Sequence, residues 1–251
     1  MRNKIVILLI LLFSCCFSFA QSNNQVLATY EFRNINDGKF QMILLRIDKN
    51  EAYSEFHNKT KTNNDTIYID DFESINFKIE NKDSIRTQYY LTKNEIIFRD
   101  HIYTNNEFIP VIVSEKMPSY NWELEEGTLK IGDLICNKAS LNFRGRKYSV
   151  WYSLEISTQF GPWKFYGLPG LMVKIESEDK SILFELVKVE YLKSQRINKP
   201  VMGKVISFNE YVDYQEKIID DFTEKIRSKL PRGASIKVNR AESHNIEKNF
   251  N

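Results

Sequence analysis

Short runs of residues that are apolar at every second position dominate this chain. In the first run, Val26, Ala28, Tyr30 and Phe32 are apolar. A period of two is typical of a strand with one face turned towards a core. Similar runs follow at short spacing without helices between them, so they predict a mostly antiparallel sheet. The other predicted strands are residues 40–47, 52–56, 75–79, 95–98, 108–113, 120–124, 128–131, 134–143, 147–156, 163–166, 171–176 and 182–192.

One amphipathic helix is predicted over residues 207–230. Ser207 and Glu210 have the spacing of a capping box, and the apolar positions that follow recur mainly three or four residues apart. Pro231 and Gly233 end the pattern. The apolar stripe needs a surface to cover, and the sheet is the candidate. The chain therefore predicts a β-rich α+β fold: a curved, half-barrel-like antiparallel sheet with a long C-terminal helix packed on it.

Residues 1–20 have the three parts of a secretory signal peptide. Arg2 and Lys4 precede an uncharged, mostly apolar run at 5–17, and Ser18-Phe19-Ala20 is a small-x-small cleavage site. The run is shorter than the ~20 residues of a membrane-spanning helix. Cys15 could instead be the lipidated residue of a lipoprotein, but Phe13 fits that pattern poorly and we favour plain cleavage. We expect a single β-rich domain at 21–234, a partly mobile tail at 235–251 and no transmembrane span in the mature chain.

Cleavage changes the charge and the thiol count. Two of the 35 basic residues and none of the 33 acidic residues lie in the signal segment, so the mature chain is neutral. A general nucleic-acid binder would need a basic excess, which argues against such a partner. Of three cysteines only Cys136 stays, so no internal disulfide can form. Cys136 is interpreted as a buried small residue, and a reactive thiol is the alternative.

A dense set of motifs occupies the second half of the chain. In order they are Tyr120-Asn121-Trp122, Cys136-Asn137-Lys138-Ala139, Phe143-Arg144-Gly145-Arg146, Trp151-Tyr152, Gly161-Pro162-Trp163 and Gly167-Leu168-Pro169-Gly170-Leu171-Met172. This set resembles the GLPGLI family, whose hexapeptide here ends in Met172 rather than Ile. The resemblance is strong over residues 115–190. It implies an exported protein of the Bacteroidota, often encoded near outer-membrane TonB-type receptors, with no assigned activity and no catalytic residues to transfer.

The hexapeptide at 167–172 has a physical interpretation of its own. Pro169 and Gly170 suit the two central positions of a type II turn from Leu168 to Leu171. A turn tip is usually polar, yet this one is apolar. Either it folds inward and plugs the open end of the sheet, which we favour, or it presents an apolar surface to a ligand or partner. The candidate binding residues in this segment are Trp163, Phe165, Gly167, Leu168, Pro169, Gly170 and Leu171.

A search for catalytic and metal-binding patterns yields little. The histidines, at 57, 101 and 244, lack metal-ligand spacing, and no cofactor or phosphate-loop motif is present. Arg144 and Arg146 flank a turn glycine and could clamp an anion, although a solvated hairpin tip is the interpretation we favour. Thr66 and Ser84 follow aspartates and precede isoleucines, which resembles the O-glycosylation sites of exported Bacteroidota proteins.

These observations lead to a function hypothesis with alternatives. We expect a non-enzymatic periplasmic or outer-membrane-associated binding or accessory module. Its partner would be an apolar small molecule held in the sheet, or an outer-membrane TonB-type system protein docked through residues 160–172. One alternative is an envelope hydrolase that combines acids with Arg144, Arg146 or Lys164. The other is a purely structural domain.

Overall fold

The computed structural model describes residues 24–36, 38–58, 66–67, 77–78, 84–104, 107–228 and 247. The signal-peptide prediction, with Cys15, and almost all of the predicted tail lie outside these residues. Across the described part, strands predominate and one helix is present, so the prediction of a β-rich fold with a C-terminal helix is confirmed. The elements are β1 (Asn24–Asn34), β2 (Lys39–Ile47), β3 (Glu51–Asn58), β4 (Thr66–Ile67), β5 (Phe77–Lys78), β6 (Gln88–Thr92), β7 (Glu95–Thr104), β8 (Glu107–Lys116), β9 (Glu123–Ile131), β10 (Leu134–Phe143), β11 (Arg146–Ser153), β12 (Leu171–Ser177), β13 (Ile182–Lys193), β14 (Lys204–Ser207) and α1 (Phe208–Arg227).

Twelve of these strands form one open sheet in the order β14-β8-β7-β6-β3-β2-β1-β13-β12-β11-β10-β9, and β4 and β5 form a separate pair. Neighbouring strands are antiparallel except at one edge, where β14 runs parallel to β8. The parallel pair departs from the expected antiparallel sheet. It arises because the chain leaves β13 in the middle of the sheet and crosses to the far edge before the helix begins.

The sheet is curved. Register shifts between β1 and β13, β10 and β9, and β11 and β12 mark bulges, which increase local twist. The curvature brings together residues from strands far apart in the sheet order. Glu115 on β8 contacts Arg144 in the β10–β11 turn, and the Tyr120 and Phe143 rings are 5.0 Å apart.

Alternation of burial along the strands produces the core. In β1, for example, Ala28, Tyr30 and Phe32 are buried at every second position, as the sequence predicts. Aromatic rings continue across the inner face from Phe56 through Phe32 to Phe184, with centroid distances of 5.7 and 4.8 Å. The β11–β12 connection rests on this face, since the rings of Phe165 and Phe184 lie 5.8 Å apart.

Helix α1 begins with the predicted capping box. The backbone N–H of Glu210 donates to Ser207 Oγ, and the backbone N–H of Ser207 donates to Glu210 Oε2 at 2.8 Å. Tyr211 anchors the helix to the sheet: its ring meets Phe98 edge to face, and its hydroxyl donates to Asp100 Oδ2 at 2.7 Å. The predicted end at residue 230 lies beyond the described residues.

Several predicted strands differ in detail. The sequence predicts two strands at 120–124 and 128–131, but they belong largely to one, β9, which runs through Gly127 at φ 115°. The sequence predicts no strand at β6 or β14. The apolar residues of β6, Tyr-Tyr-Leu, are consecutive and do not alternate, and β14 has only four residues. Within the prediction at 75–79, only 77–78 are described. Residues 163–166 are not a strand, as described next.

Candidate functional site: the inserted segment and the cleft beside it

The connection between β11 and β12 folds back into the concave side of the sheet. We call residues 154–170 the inserted segment. The predicted strand at 163–166 is wrong: Phe160 and Tyr166 make a single bridge, and a tight turn lies between them. The N–H of Gly161 donates to the carbonyl of Phe165, and the N–H of Phe165 donates to the carbonyl of Pro162. A turn forms here because burial of the aromatic side chains overrides the local strand propensity.

Trp163 sits at the centre of this turn with φ 58°, a left-handed conformation that is a genuine outlier for a bulky side chain. Its indole is nearly fully buried and lies edge to face with Phe165 at 5.2 Å and with Phe143 at 5.7 Å. Backbone strain of this kind persists only where the surroundings hold the residue in place. The strained turn therefore serves to direct Trp163 into the core.

The predicted type II turn at 168–171 is also wrong. Such a turn needs a positive φ at Gly170, whereas the left-handed glycine of the hexapeptide is Gly167, at φ 110°. Gly170 has a different role, because a Cβ there would lie 2.2 Å from the carbonyl oxygen of Ser153. The glycine is required for the close approach of two backbones at the start of β12.

The hexapeptide is mostly buried. Leu168, Gly170, Leu171 and Met172 are enclosed, and the carbonyl of Met172 accepts a hydrogen bond of 2.7 Å from the buried Tyr30 hydroxyl. Pro169 is exposed and Gly167 half-buried. Of the two interpretations of the motif, the inward plug agrees with this geometry. Among the candidate binding residues, only Pro169 and Gly167 retain access to solvent, since Trp163 and Phe165 are buried as well.

The region before β9 supports the inserted segment from outside. Trp122 donates from its indole nitrogen to the carbonyl of Tyr166 at 3.0 Å, and the Tyr120 hydroxyl donates to the carbonyl of Lys164. Through these two contacts the Tyr-Asn-Trp motif holds the residues that directly precede the Gly-Leu-Pro-Gly motif.

The two candidate arginines have inward positions that the sequence did not suggest. The β10–β11 turn has φ 52° at Arg144 and 75° at Gly145, the pattern of a two-residue type I′ hairpin turn. Both Arg144 and Arg146 are buried, so the expected solvated hairpin tip is wrong. Arg146 pairs with Asp179 Oδ2 at 2.5 Å and donates to Ser181 Oγ at 2.8 Å. That pair ties the β10–β11 turn to the β12–β13 turn.

Arg144 belongs to a buried ionic cluster that we call the cation cluster: Glu115, Arg144, Lys164 and Glu247. Glu115 accepts from Arg144 and, through Oε2, from Lys164 Nζ at 2.8 Å. Lys164 Nζ also lies 2.6 Å from Glu247 Oε1 and 4.4 Å from the centre of the Phe98 ring. The side chains of Glu115, Arg144 and Lys164 are 5, 6 and 1% exposed. A carboxylate thus meets two of the bases proposed for a hydrolase, but inside the protein, where these charges pair with one another.

An open cleft lies beside the inserted segment. We call it the rim cleft; its volume is about 1390 Å³, and it continues into a second hollow of about 550 Å³. One wall consists of the β2–β3 and β6–β7 turns and the end of β8, and the facing wall is the inserted segment. The first wall supplies Asp48, Lys49, Asn50, Glu51, Thr92, Lys93, Asn94, Glu95, Ser114 and Lys116; the second supplies Ser157, Thr158, Gln159, Phe160, Tyr166 and Pro169. The second hollow adds Met117, Pro118, Tyr120, Trp122 and Gly167.

The remaining candidates do not converge on this cleft. Cys136 is buried on β10, and burial raises the pKa of its thiol, which agrees with a packing role. His57 lies 3.6 Å from Glu55, and within the described residues no group of three or more histidine, cysteine or acidic residues could hold a metal ion. Ser84 is exposed, and the structure gives only the backbone of Thr66, in β4, so their glycosylation stays a prediction.

Together, the sheet, the inserted segment and the helix define the class of fold: a β-rich α+β domain whose open, curved sheet is filled by its own chain. None of the described helices is long and apolar enough to cross a membrane. No family model and no curated protein matches the chain. The fold is similar to that of PNGF-II, solved in two space groups, with a TM-score of 0.50 and 16% identity.

That similarity covers 77% of this chain but 33% of PNGF-II, so the chain spans about a third of the length of the protein it matches. An uncharacterized conserved protein from Thermus thermophilus matches at a TM-score of 0.38 and 11% identity, over 74% of this chain and 91% of that one. At these identities the comparison with PNGF-II concerns the fold alone.

Proposed function

We propose that this protein is an exported cell-envelope binding or accessory module that docks a partner polypeptide in the rim cleft. The observation that supports the proposal most directly is the position of that cleft. It follows the solvent-facing edge of the inserted segment, where Pro169 is exposed and Tyr166 and Gly167 are half-buried, although Leu168 and residues 170–172 are buried. The buried part of the motif would then serve to hold this edge rigid.

The size and chemistry of the rim cleft favour a polypeptide over a small molecule. Pockets for small molecules enclose roughly 300–1,000 Å³ and are lined mainly by apolar side chains. The rim cleft is larger, open, and lined by amides, hydroxyls and balanced charges, with Phe160 and Tyr166 on one wall. Backbone groups of an extended chain can exchange hydrogen bonds with such a lining, and the half-buried Tyr166 ring offers apolar contact.

An apolar ligand within the sheet is a weaker proposal. The concave face that would receive it is covered by Trp163, Phe165 and Leu168, each nearly fully buried against the sheet. A ligand would have to displace the inserted segment and break its hydrogen bonds to Trp122 and Tyr120. An analogy of shape with half-barrel proteins that carry lipids is a weak basis for function.

Site-specific photocrosslinking in the native cell envelope tests the docking proposal. A photoreactive residue would replace Asn94 on one wall or Gln159 on the other, and Val187, exposed on β13, is the matched control. We expect both cleft positions to capture the same protein, the control position not to do so, and the double substitution K93E/K116E to reduce the yield severalfold. Capture of no protein from the cleft, or the same capture from residue 187, would reject the proposal.

A further inference from the structure

The cation cluster joins two parts of the chain that are far apart in the sequence. Arg144 and Lys164 come from the β10–β11 turn and the inserted segment, and Glu115 comes from β8. Glu247 comes from the last five residues of the 251-residue chain. The first three groups are part of the folded core, whereas the fourth is a carboxylate that the C-terminal segment brings to them.

The core part of this cluster is shaped around an anion. The ammonium group of Lys164 has three donors; one points to Glu115 and one to Glu247, and Phe98 lies on another side. Arg144 also turns towards the same carboxylate, with its Nε 3.8 Å from Glu247 Oε2. The Phe208 ring of α1 lies 5.4 Å from Lys164 Nζ and 5.2 Å from the Arg144 guanidinium, so the helix covers both cations.

Backbone conformation gives a second, independent sign that these cations are placed for a purpose. Arg144 has φ 52°, and Trp163, directly before Lys164, has φ 58°. Left-handed backbone is unfavourable for both residue types, and strain of this kind gathers at ligand sites. Arg144 is the left-handed residue of its own turn and Lys164 directly follows one, so both cations are held by turns of fixed geometry.

We infer that Arg144 and Lys164 form a carboxylate-binding site beneath α1, which Glu247 occupies in cis and which a carboxylate from outside the chain can occupy instead. Buried cations need a paired anion, because an uncompensated buried charge is strongly destabilising. The site therefore selects a carboxylate over a neutral group. This inference is independent of partner docking in the rim cleft.

Chemical rescue tests the site with acetate as the probe. Substituting Glu247→Ala removes the carboxylate and leaves space for a small one. We expect the Tm to fall by roughly 6 °C or more in sodium chloride, as for a broken buried ion pair. Sodium acetate at the same ionic strength, in about tenfold excess over its dissociation constant, should then raise the Tm of this variant by roughly 3–6 °C. The rescue should saturate with concentration.

Two matched variants separate site binding from general salt effects. Glu178→Ala removes a solvent-exposed partner of Lys147 at 3.8 Å and should show little loss and no acetate-specific gain. Glu247→Gln keeps the side-chain volume, so it should lose stability but respond less to acetate than Glu247→Ala does. If the alanine variant does not fold in sodium chloride, the Tm of Glu247→Gln still measures the loss of the charge, and refolding of Glu247→Ala in sodium acetate measures the rescue. No loss in Tm for Glu247→Ala, a loss in that variant that acetate does not reverse, or an equal acetate gain in E247Q or E178A would each overturn the inference.

Discussion

Replacement of Gly170 by alanine tests the close backbone approach that starts β12. The added Cβ would lie 2.2 Å from the carbonyl oxygen and 2.7 Å from the carbonyl carbon of Ser153, and 3.1 Å from the nitrogen of Leu154. Carbon–oxygen contacts in proteins are rarely shorter than about 3.3 Å. The two backbones must therefore separate by about 1 Å, and both obstructing groups are main chain, which no rotamer change can move aside.

The cost can be worked out from that separation. Overpacking a core costs roughly 1–3 kcal/mol or more, and the pairing of Ser153 with Leu171 would be disturbed at about 1 kcal/mol per hydrogen bond. We expect Gly170→Ala to reduce the free energy of unfolding by roughly 3 kcal/mol or more, a fall in Tm of roughly 6 °C or more. Because the inserted segment would be displaced, tryptophan fluorescence of the native state should change as well.

Gly132→Ala is the matched control for this measurement. Gly132 has φ 59° and open space around its Cβ position, so alanine there meets only backbone strain of about 1–2 kcal/mol. Equilibrium unfolding in guanidinium chloride, followed by fluorescence and circular dichroism, compares the two variants. A Gly170→Ala protein as stable as Gly132→Ala would refute the role assigned to Gly170.

Three further predictions concern single side chains. Tyr30→Phe should lower the free energy of unfolding by about 1–2 kcal/mol in chemical denaturation, because the buried Met172 carbonyl loses its donor. Burial raises the pKa of Asp179, but hydrogen bonds from Ser177 and Ser181 and the charge of Arg146 outweigh it, so the net pKa is lowered. A carboxyl group whose pKa is lower in the folded state stabilises the protein at pH values above its unfolded pKa near 4, and this stabilisation is lost as the pH falls through the folded pKa. Asp179→Asn should therefore be less stable than the wild type at neutral pH and should lose less stability on acidification to pH ~2. The Cys136 thiol should resist Ellman's reagent in the native protein and react on unfolding in urea, because burial both shields it and raises its pKa; rapid native labelling would contradict this.

The elements that could be predicted from sequence are those with strong local signals. Alternation at 26–32 predicts β1, and the Ser207–Glu210 spacing predicts the start of α1, because periodicity and capping are local properties. β14 escapes prediction, since its four residues gain their partner from β8, almost a hundred positions earlier. Its parallel pairing depends on where the chain crosses the sheet, which no local pattern encodes.

The inserted segment shows how tertiary packing overrides a local pattern. Trp163 to Tyr166 has the composition of a strand, and Leu168 to Leu171 has that of a type II turn. Both predictions assume that the backbone follows local preference. Burial of two large aromatic side chains in the concave face instead favours a tight turn with a left-handed tryptophan. The apolar character of the motif indicates that it folds inward, and this could be predicted from the sequence alone.

The two arginines at the β10–β11 turn are a second case in which packing overrides what the local sequence predicts. A pair of charged residues around a turn glycine normally lies in water. Here curvature brings Glu115 against the turn, and Asp179 reaches it from the next hairpin, so both arginines lie inside. Their partners are 29 and 33 residues away in sequence, so the sequence alone does not show that these residues form ion pairs. If Arg144 and Lys164 are buried in order to bind a carboxylate, the inserted segment and the β10–β11 turn together form an anion site as well as a plug. Rescue of Glu247→Ala by acetate separates these two roles, because a plug alone would give acetate nothing to bind.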